Sequence, residues 1–428
     1  MRLPMRLPDS KEVILLKRLL LRAIGLIWIL SFAFAVTAYE GTPIAQLASS
    51  QMKGRPLILV PGTFGSWLKT DIDSVLSLGN KGAVNLAMEK GYLQKPDWEA
   101  HKRATFVNGG ATEAFGYIDP FADTYSDFIA YLTASKWKEG ADFWVFTYDT
   151  LRIGVRDNAK NLEAFVRRVK AETGSDKVTI VAHSQGCLVA RYYAECLDKD
   201  SVESLILLAP PNHGVLEAYK ATQGGVVGDF MFRAFLGDVF GIKAAVLGRA
   251  RAFHDAIKQC PAIWQMLPDI PYLYTDPSWW PNSKLEFRPD PLAASQYPQP
   301  NEPILSILND PDNLKRLKGV NIYIVQSEGT DTEEWYEVGK QKWGSNLWEY
   351  GKLQKSNVTK QGDGGVLTRS AHLSTKDEEW RNTSSAPRWV EMSDGVRYKF
   401  IPLKGVGHMD YCRAYATRQW MVLAGIEP

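Results

Sequence analysis

The chain has 428 residues, of which 45% are hydrophobic and 23% are charged. Length alone allows two or three domains, and neither an internal repeat nor a low-complexity tract occurs. The formal net charge is +2, and no basic stripe is present, which excludes a typical nucleic-acid-binding protein. No Cys/His spacing is typical of a metal site, so we expect neither a metal nor a cofactor.

The N-terminal segment has the composition of an export signal. Three basic residues between positions 17 and 22 precede an uncharged apolar run at 23–38, which ends in the small residues Val36-Thr37-Ala38. The run is short for a membrane span of about 20 residues, which favours cleavage over a retained anchor. We expect an exported protein, periplasmic or secreted, in which 1–38 is a signal peptide or, as the alternative, 23–38 is a membrane anchor. Without residues 1–38 the net charge is −2, so contact with a membrane would be apolar rather than electrostatic.

Residues 39–428 are predicted to form one α/β domain, because strand-like and helix-like segments alternate toward both of its ends. A helix at 155–170 is indicated by an apolar stripe of Val155, Ala159, Leu162, Val166 and Val169. The predicted strands lie near 56–61, 142–148, 177–182, 203–209, 320–326 and 397–403.

Ser184 is the predicted nucleophile. It lies in Ala182-His183-Ser184-Gln185-Gly186, directly after a β-branched run and ahead of a helix-forming stretch. A strand, a tight turn and a helix hold a serine hydroxyl at the edge of a sheet, and small residues at 182 and 186 permit the turn. This pattern predicts the nucleophile elbow of a serine hydrolase.

The general base is predicted by elimination among six histidines. His408 is flanked by glycines just after the last predicted strand, in the chain order Ser, Asp, His that this chemistry needs in such a fold. His183 is expected to be a buried structural residue, and His213 to line the entrance of the site. His101, His254 and His372 do not follow a strand end.

The acid is one of two aspartates that follow the strand near 320–326. Asp363 is favoured because the glycines around it, in Gly362-Asp363-Gly364-Gly365, let a loop fold back toward the histidine. Asp331 follows the same strand sooner and is the alternative, whereas Asp410 is too close to His408 in sequence.

The first predicted strand runs into the glycine-rich turn Pro61-Gly62-Thr63-Phe64-Gly65. Backbone N–H groups of such a turn can face a reacting carbonyl. The N–H groups of Phe64 and of Gln185, the residue after the serine, are therefore the predicted oxyanion hole.

The chain resembles the lecithin:cholesterol acyltransferase-like branch of the α/β-hydrolases. The resemblance is carried by the turn that begins at Pro61-Gly62, by Phe146-Thr147-Tyr148-Asp149, by the elbow around Ser184 and by Gly362-Asp363-Gly364-Gly365-Val366. It implies a mostly parallel central sheet with helices on both faces and a cap or lid insertion after strand 6 of that fold. It also implies acyl-ester chemistry on lipids, carried by Ser184, Asp363 and His408. No cysteine pair occurs soon after Pro61-Gly62, so a plasma-type sterol acyltransferase is not implied.

The insertion is expected at about 213–302, where the alternation stops. Phe232 and Phe235 begin an apolar helical stripe there, and aromatic residues and prolines follow it. One interpretation is a lid that shapes an acyl-chain pocket with Phe232, Phe235, His213 and Trp67 and touches a membrane; the other is ordinary core. Among four cysteines, Cys187 and Cys196 are too far apart along one helix to bridge, and a Cys260–Cys412 disulfide is left open.

The sequence therefore predicts an exported serine hydrolase that acts on carboxylic esters, with a lipid or another long-chain ester as substrate. An acyltransferase that passes the acyl group to an alcohol is the first alternative. A non-catalytic binding protein on the same fold is the second. The oligomeric state is left open.

Overall fold

The computed structural model describes residues 55–63, 124–148, 153–225, 254, 260–270, 272–275, 287–288, 303–339, 347–348, 351–373, 386–392 and 395–424. They all belong to one compact unit, Gln51–Pro428. None of the helices in these ranges combines the length and the hydropathy that a membrane span needs. The predicted signal or anchor segment and the predicted pocket residues Trp67, Phe232 and Phe235 lie outside the described residues.

The described strands form two sheets. In chain order they are β1 (Leu57–Val60), β2 (Phe143–Val145), β3 (Val178–His183), β4 (Val202–Leu208), β5 (Leu273–Thr275), β6 (Phe287–Arg288), β7 (Asn321–Glu328), β8 (Thr332–Gly339), β9 (Lys352–Thr359), β10 (Arg388–Glu391) and β11 (Arg397–Lys404). The main sheet has the order β10-β11-β7-β4-β3-β1-β2. Its pairs are parallel except β10 with β11. All six predicted strands are confirmed.

The helices flank or follow these strands. They are α1 (Ser126–Ala134), α2 (Val155–Thr173), α3 (Gln185–Tyr192), which continues into a π-helical turn (Tyr193–Leu197), α4 (Glu217–Gly224), α5 (Pro261–Trp264), α6 (Ile304–Leu308), α7 (Pro311–Leu314), which continues into a 3-10 turn (Lys315–Leu317), α8 (Thr368–Ala371) and α9 (Ala414–Ala424). The predicted helix at 155–170 is confirmed, and all five residues of its stripe are buried.

The main sheet separates two hydrophobic cores, because successive side chains of a strand point to opposite faces. Ile58 and Val60 of β1 pack in one core with α2 and α3, whereas Leu57 and Leu59 pack in the other. The second core also contains Phe128 of α1 and Trp420 of α9. Helices therefore cover both faces of the sheet, as the sequence analysis predicts.

The smaller sheet was not predicted. Its order is β6-β5-β8-β9, with β5 parallel to β8 and the other pairs antiparallel. Strands β5 and β6 have three and two residues, and most side chains of β9 are at least partly exposed, so none of them shows a clear alternation.

The insertion predicted at 213–302 follows β4, which is the fourth strand of the described chain. Its described helices α4 and α5 contribute Tyr219, Ile263 and Trp264 to the same core as α2 and α3. For these residues the interpretation as ordinary core is confirmed. The lid interpretation of the remaining residues stays a prediction.

The four cysteines are unbridged, so the Cys260–Cys412 disulfide that the sequence left open does not form. Cys187 is buried where α3 packs on the sheet, with its Sγ 3.2 Å from the Ala182 carbonyl oxygen. It fills the position that needs a small side chain.

A buried ion pair lies in the helix after the elbow. The Arg191 Nε donates to Glu195 Oε1 over 2.7 Å, and both side chains are fully buried. The rest of the Arg191 guanidinium donates to Asn212 Oδ1 (3.0 Å) and to the Leu308 carbonyl (2.7 Å). Because an unpaired buried guanidinium is costly, these bonds fix the segments after β4 and at the end of α6 against α3.

Replacement of Glu195 by Gln should change how stability depends on pH. Burial raises the pKa of Glu195 from 4.5 to about 7, although Arg191 acts in the opposite direction. The folded protein then holds this proton more tightly than the unfolded chain does. The resulting stabilisation is complete below pH 4.5 and is lost as the pH rises toward 7. We expect the free energy of unfolding of the wild type, relative to Glu195→Gln, to fall over this interval in urea titrations. A constant difference from pH 4.5 to pH 8 would contradict the expectation.

Candidate active site

Ser184 lies in a strained turn at the carboxyl end of β3. Its φ of 52° and ψ of −126° are rare for a residue with a side chain, and its N–H donates to the Leu208 carbonyl of β4 over 2.9 Å. Such a backbone costs about 1–3 kcal/mol and persists only where the surroundings enforce it. Helix α3 begins at the next residue, so the serine hydroxyl is held at the sheet edge, as the elbow pattern predicts.

Two glycines let other chain segments approach this turn. A Cβ added at Gly186 would lie 2.5 Å from the carbonyl oxygens of Val60 and Pro61, which are backbone atoms. A Cβ added at Gly62 would lie 2.8 Å from the Ser184 Cβ. The end of β1 is therefore in contact with the elbow from one side, and only glycine permits that contact.

His408 lies between Ser184 and Asp363. Its Nε2 is 2.9 Å from the Ser184 Oγ, and its Nδ1 is 3.0 Å from Asp363 Oδ2. The three side chains come from the loops after β3, β9 and β11 and are all buried. Because an ionised carboxylate only accepts, Nδ1 carries the proton and Nε2 accepts from the serine hydroxyl.

The Asp363 carboxylate is surrounded by donors. The N–H groups of Gly365 and Val366 donate to Oδ1 over 2.9 Å and 2.7 Å, and the Tyr411 hydroxyl donates to Oδ2 over 3.0 Å. Burial acts to raise the pKa of Asp363, but the attraction of His408 and these backbone donors outweigh it and lower the pKa. The carboxylate is therefore ionised and fixed in orientation at neutral pH.

The alternatives for the acid do not reach the histidine. Asp331 pairs with Lys360 over 2.8 Å at the surface, and both side chains are mostly exposed. The Asp410 carboxylate faces Arg413, with 3.8 Å between Oδ1 and Nε. Of the three aspartates that the sequence analysis considered, the structure places only Asp363 against His408.

The turn Pro61–Gly62–Thr63, called the Pro-Gly turn below, follows β1. The Thr63 hydroxyl donates to the Gln185 Oε1 over 3.0 Å, which links the turn to the start of α3. Gln185 is the first residue of that helix, so its N–H has no carbonyl one turn earlier within the helix. Phe64, the other predicted oxyanion donor, lies outside the described residues.

His213 is buried beside a second acidic group. Its Nδ1 is 2.8 Å from Asp269 Oδ1 and 3.1 Å from the Asn309 amide nitrogen. Within the described ranges no hydrogen bond joins it to Ser184, Asp363 or His408, so its predicted place at the site entrance stays a prediction. No three His, Cys, Asp or Glu side chains among the described residues are grouped as metal ligands.

Sequence reasoning missed Tyr411. Its hydroxyl accepts from the Ser327 N–H of β7 over 2.7 Å while it donates to Asp363. The residue lies only three positions after His408, but a tyrosine in a loop gives no signal of its partner. The bond from the Ser327 N–H depends on the parallel pairing of β7 with β11, and the sequence around Tyr411 does not indicate that pairing.

A family model described as the α/β hydrolase fold matches residues 114–241, which include the elbow. With the mostly parallel sheet and its helices on both faces, the protein has the α/β-hydrolase fold, as predicted. Among curated protein sequences, none matches this chain.

Solved structures with similarity to the chain include a lipase, a phospholipase and an esterase. The mature lipase BlEst2 of Bacillus licheniformis is 12% identical with a TM-score of 0.39, over 87% of this chain and 92% of that one. The phospholipase PlaB of Legionella pneumophila is 14% identical with a TM-score of 0.36, over 87% and 60%. The naproxen esterase of Bacillus subtilis is 11% identical with a TM-score of 0.32, over 87% and 84%. Similarities this weak carry no argument about activity, which has to be argued from the site.

Replacement of Gly186 by Ala should displace the end of β1 from the elbow. The added methyl group meets two backbone oxygens that cannot move independently, so we expect a loss of about 1–3 kcal/mol in the free energy of unfolding. We also expect slower labelling of Ser184 by an organophosphonate. Gly174→Ala is the control, since its φ of +70° strains an alanine but no atom lies within 4 Å of the new Cβ. Equal labelling rates in the two variants would contradict the expectation.

Proposed function

We propose that the protein is a serine esterase that hydrolyses carboxylic esters through an acyl-enzyme on Ser184. The observation that carries the proposal is the pair of contacts from His408, 2.9 Å to the Ser184 Oγ and 3.0 Å to Asp363 Oδ2. A serine is a weak nucleophile unless a base takes its proton, and a base of this kind needs a third group to orient it.

In the proposed reaction the Ser184 oxygen attacks the ester carbonyl while its proton passes to His408 Nε2. Asp363 stabilises the imidazolium ion that forms, and the Gln185 N–H donates to the oxyanion, together with Phe64 as the second donor. His408 then returns the proton to the leaving alcohol, which leaves the acyl group on Ser184. A water molecule then gives a proton to His408 and attacks the acyl carbonyl, and His408 passes that proton to the Ser184 oxygen as the carboxylic acid leaves.

A long acyl chain is the proposed preference. It is supported by the apolar and aromatic composition of residues 213–302, whose Phe232 and Phe235 are the proposed contacts of the chain. Water is the proposed acyl acceptor, because transfer to an alcohol needs a pocket that excludes water. Export is also part of the proposal, and it is supported by the basic residues and the apolar run before Ala38.

Asp363→Asn should lower kcat by roughly 10³- to 10⁴-fold, because an amide favours the wrong tautomer of the histidine. Asp331→Asn is the matched control and should retain nearly all activity, since that carboxylate lies at the surface beside Lys360. The kcat of both variants is measured by steady-state hydrolysis of a soluble p-nitrophenyl ester. Loss of activity in Asp331→Asn with retention in Asp363→Asn would show that the acid is wrongly assigned.

Burst-phase and steady-state release from p-nitrophenyl esters of short and long acyl chains tests the function itself. We expect faster turnover of long chains, and complete loss of this activity in Ser184→Ala because the acyl-enzyme can no longer form. Product analysis with a competing alcohol separates hydrolysis from acyl transfer. The proposal fails if no ester is hydrolysed in a Ser184-dependent way and an organophosphonate does not label Ser184.

A further inference from the structure

The peptide group between Pro61 and Gly62 is hydrogen-bonded at both of its polar atoms. The Tyr148 hydroxyl donates to the Pro61 carbonyl over 2.6 Å, and the Gly62 N–H donates to the Tyr125 hydroxyl oxygen over 2.7 Å. Tyr125 precedes α1, Tyr148 follows β2, and both side chains are buried. Two tyrosines from different parts of the chain therefore hold the first peptide group of the Pro-Gly turn.

The same tyrosine also contacts the histidine that precedes the nucleophile. The Tyr125 hydroxyl is 2.8 Å from His183 Nδ1, and His183 Nε2 is 2.8 Å from the His408 carbonyl oxygen. A carbonyl only accepts, so Nε2 carries a proton and the neutral ring accepts at Nδ1. Tyr125 must then donate to His183, which is consistent with its oxygen accepting from Gly62.

The His183 ring is held in this neutral form. Burial and the nearby His408 lower the pKa of His183 to about 3. A protonated ring would present N–H groups to both partners, and the Tyr125 hydrogen would lose its acceptor. The hydrogen bonds therefore run in one direction. The Gly62 N–H donates to the Tyr125 oxygen, the Tyr125 hydroxyl donates to His183 Nδ1, and His183 Nε2 donates to the His408 carbonyl.

We propose that Tyr125, assisted by Tyr148 and His183, is a positioning residue that fixes the Pro-Gly turn relative to the backbone of His408. The inference rests on the proposed function. In that reaction Phe64, the residue after the turn, donates to the oxyanion of the ester carbonyl. His408 transfers the proton of the serine that attacks the same carbonyl carbon. The two groups must therefore keep a fixed separation.

A displacement of the turn should affect the transition state rather than substrate binding. Hydrogen bonds to the oxyanion are formed fully only when the carbonyl oxygen becomes charged, so their misplacement lowers kcat and leaves KM unchanged. A shift of about 1 Å can cost about 100-fold in rate. A tyrosine that acted only in folding would instead change stability without this separation of kcat from KM.

The test compares three Tyr→Phe variants on a soluble p-nitrophenyl ester. Tyr125→Phe removes the bonds to Gly62 and to His183, and Tyr148→Phe removes the bond to Pro61. Tyr398→Phe is the matched control, because its hydroxyl makes the same kind of buried bond to a histidine Nδ1, that of His372, over 2.7 Å. We expect kcat to fall about 10- to 100-fold in Tyr125→Phe and less in Tyr148→Phe, with KM unchanged. Tyr398→Phe should keep the kcat of the wild type.

A second measurement follows the contact without relying on catalysis. Hydrogen–deuterium exchange of the Gly62 amide should be about tenfold faster in Tyr125→Phe, which is the effect of one lost hydrogen bond, and unchanged in Tyr398→Phe. Unchanged exchange in Tyr125→Phe overturns the proposal, as does a loss of kcat no larger than in the control. If the wild type shows no Ser184-dependent hydrolysis, the proposed function fails, and the exchange rate alone decides whether Tyr125 holds the turn.

Discussion

The close approach of the end of β1 to the start of α3 is the constraint on which the rest of the site depends. It requires glycine at 62 and 186, because a Cβ at Gly62 would overlap the Ser184 side chain and a Cβ at Gly186 would overlap the backbone of Val60 and Pro61. It brings the Pro-Gly turn beside Ser184 and lets the Thr63 hydroxyl reach the Gln185 side chain. The strained backbone of Ser184 is held by its hydrogen bond to the Leu208 carbonyl of β4, the parallel neighbour of β3.

Charge interactions and hydrogen bonds at Asp363 fix the positions of Asp363 and His408. Asp363 is buried and ionised, and four donors share its two oxygens, so these partners offset the cost of burying the charge and fix one orientation of the carboxylate. His408 is held through the same loop, because its N–H donates to the Asp363 carbonyl over 2.9 Å. Asp363 and His408 are therefore joined through both backbone and side chain, and the imidazole ring has a fixed position beside the serine hydroxyl.

The sequence predicts the parts of this structure whose signals are local. Residues that are close together in the chain predict buried strands such as β3, the apolar stripe of α2 and the elbow around Ser184. Asp363 is favoured over Asp331 because of the glycines on both sides of it, which is also a local signal. Tyr411 and Tyr125 could not be predicted, because each hydrogen-bonds to a residue at least 48 positions away in the chain. The smaller sheet was missed for another reason, since strands with exposed or very short stretches lack the alternation that identifies a strand.

The contacts of Arg191 have a consequence for the length of the chain between β4 and α6. Its guanidinium bonds Asn212, just before residue 213, and Leu308, shortly after residue 302, and the Asn309 amide also donates to the Asn212 carbonyl over 2.8 Å. Both ends of the intervening segment are therefore bound to one side chain, that of Arg191, near the C-terminal end of α3. Since the entropy of closing a loop rises only slowly with its length, holding these two ends together costs little more for a long segment than for a short one. A change in the length of this segment outside α4, α5, β5 and β6 is therefore expected to cost the main sheet little stability.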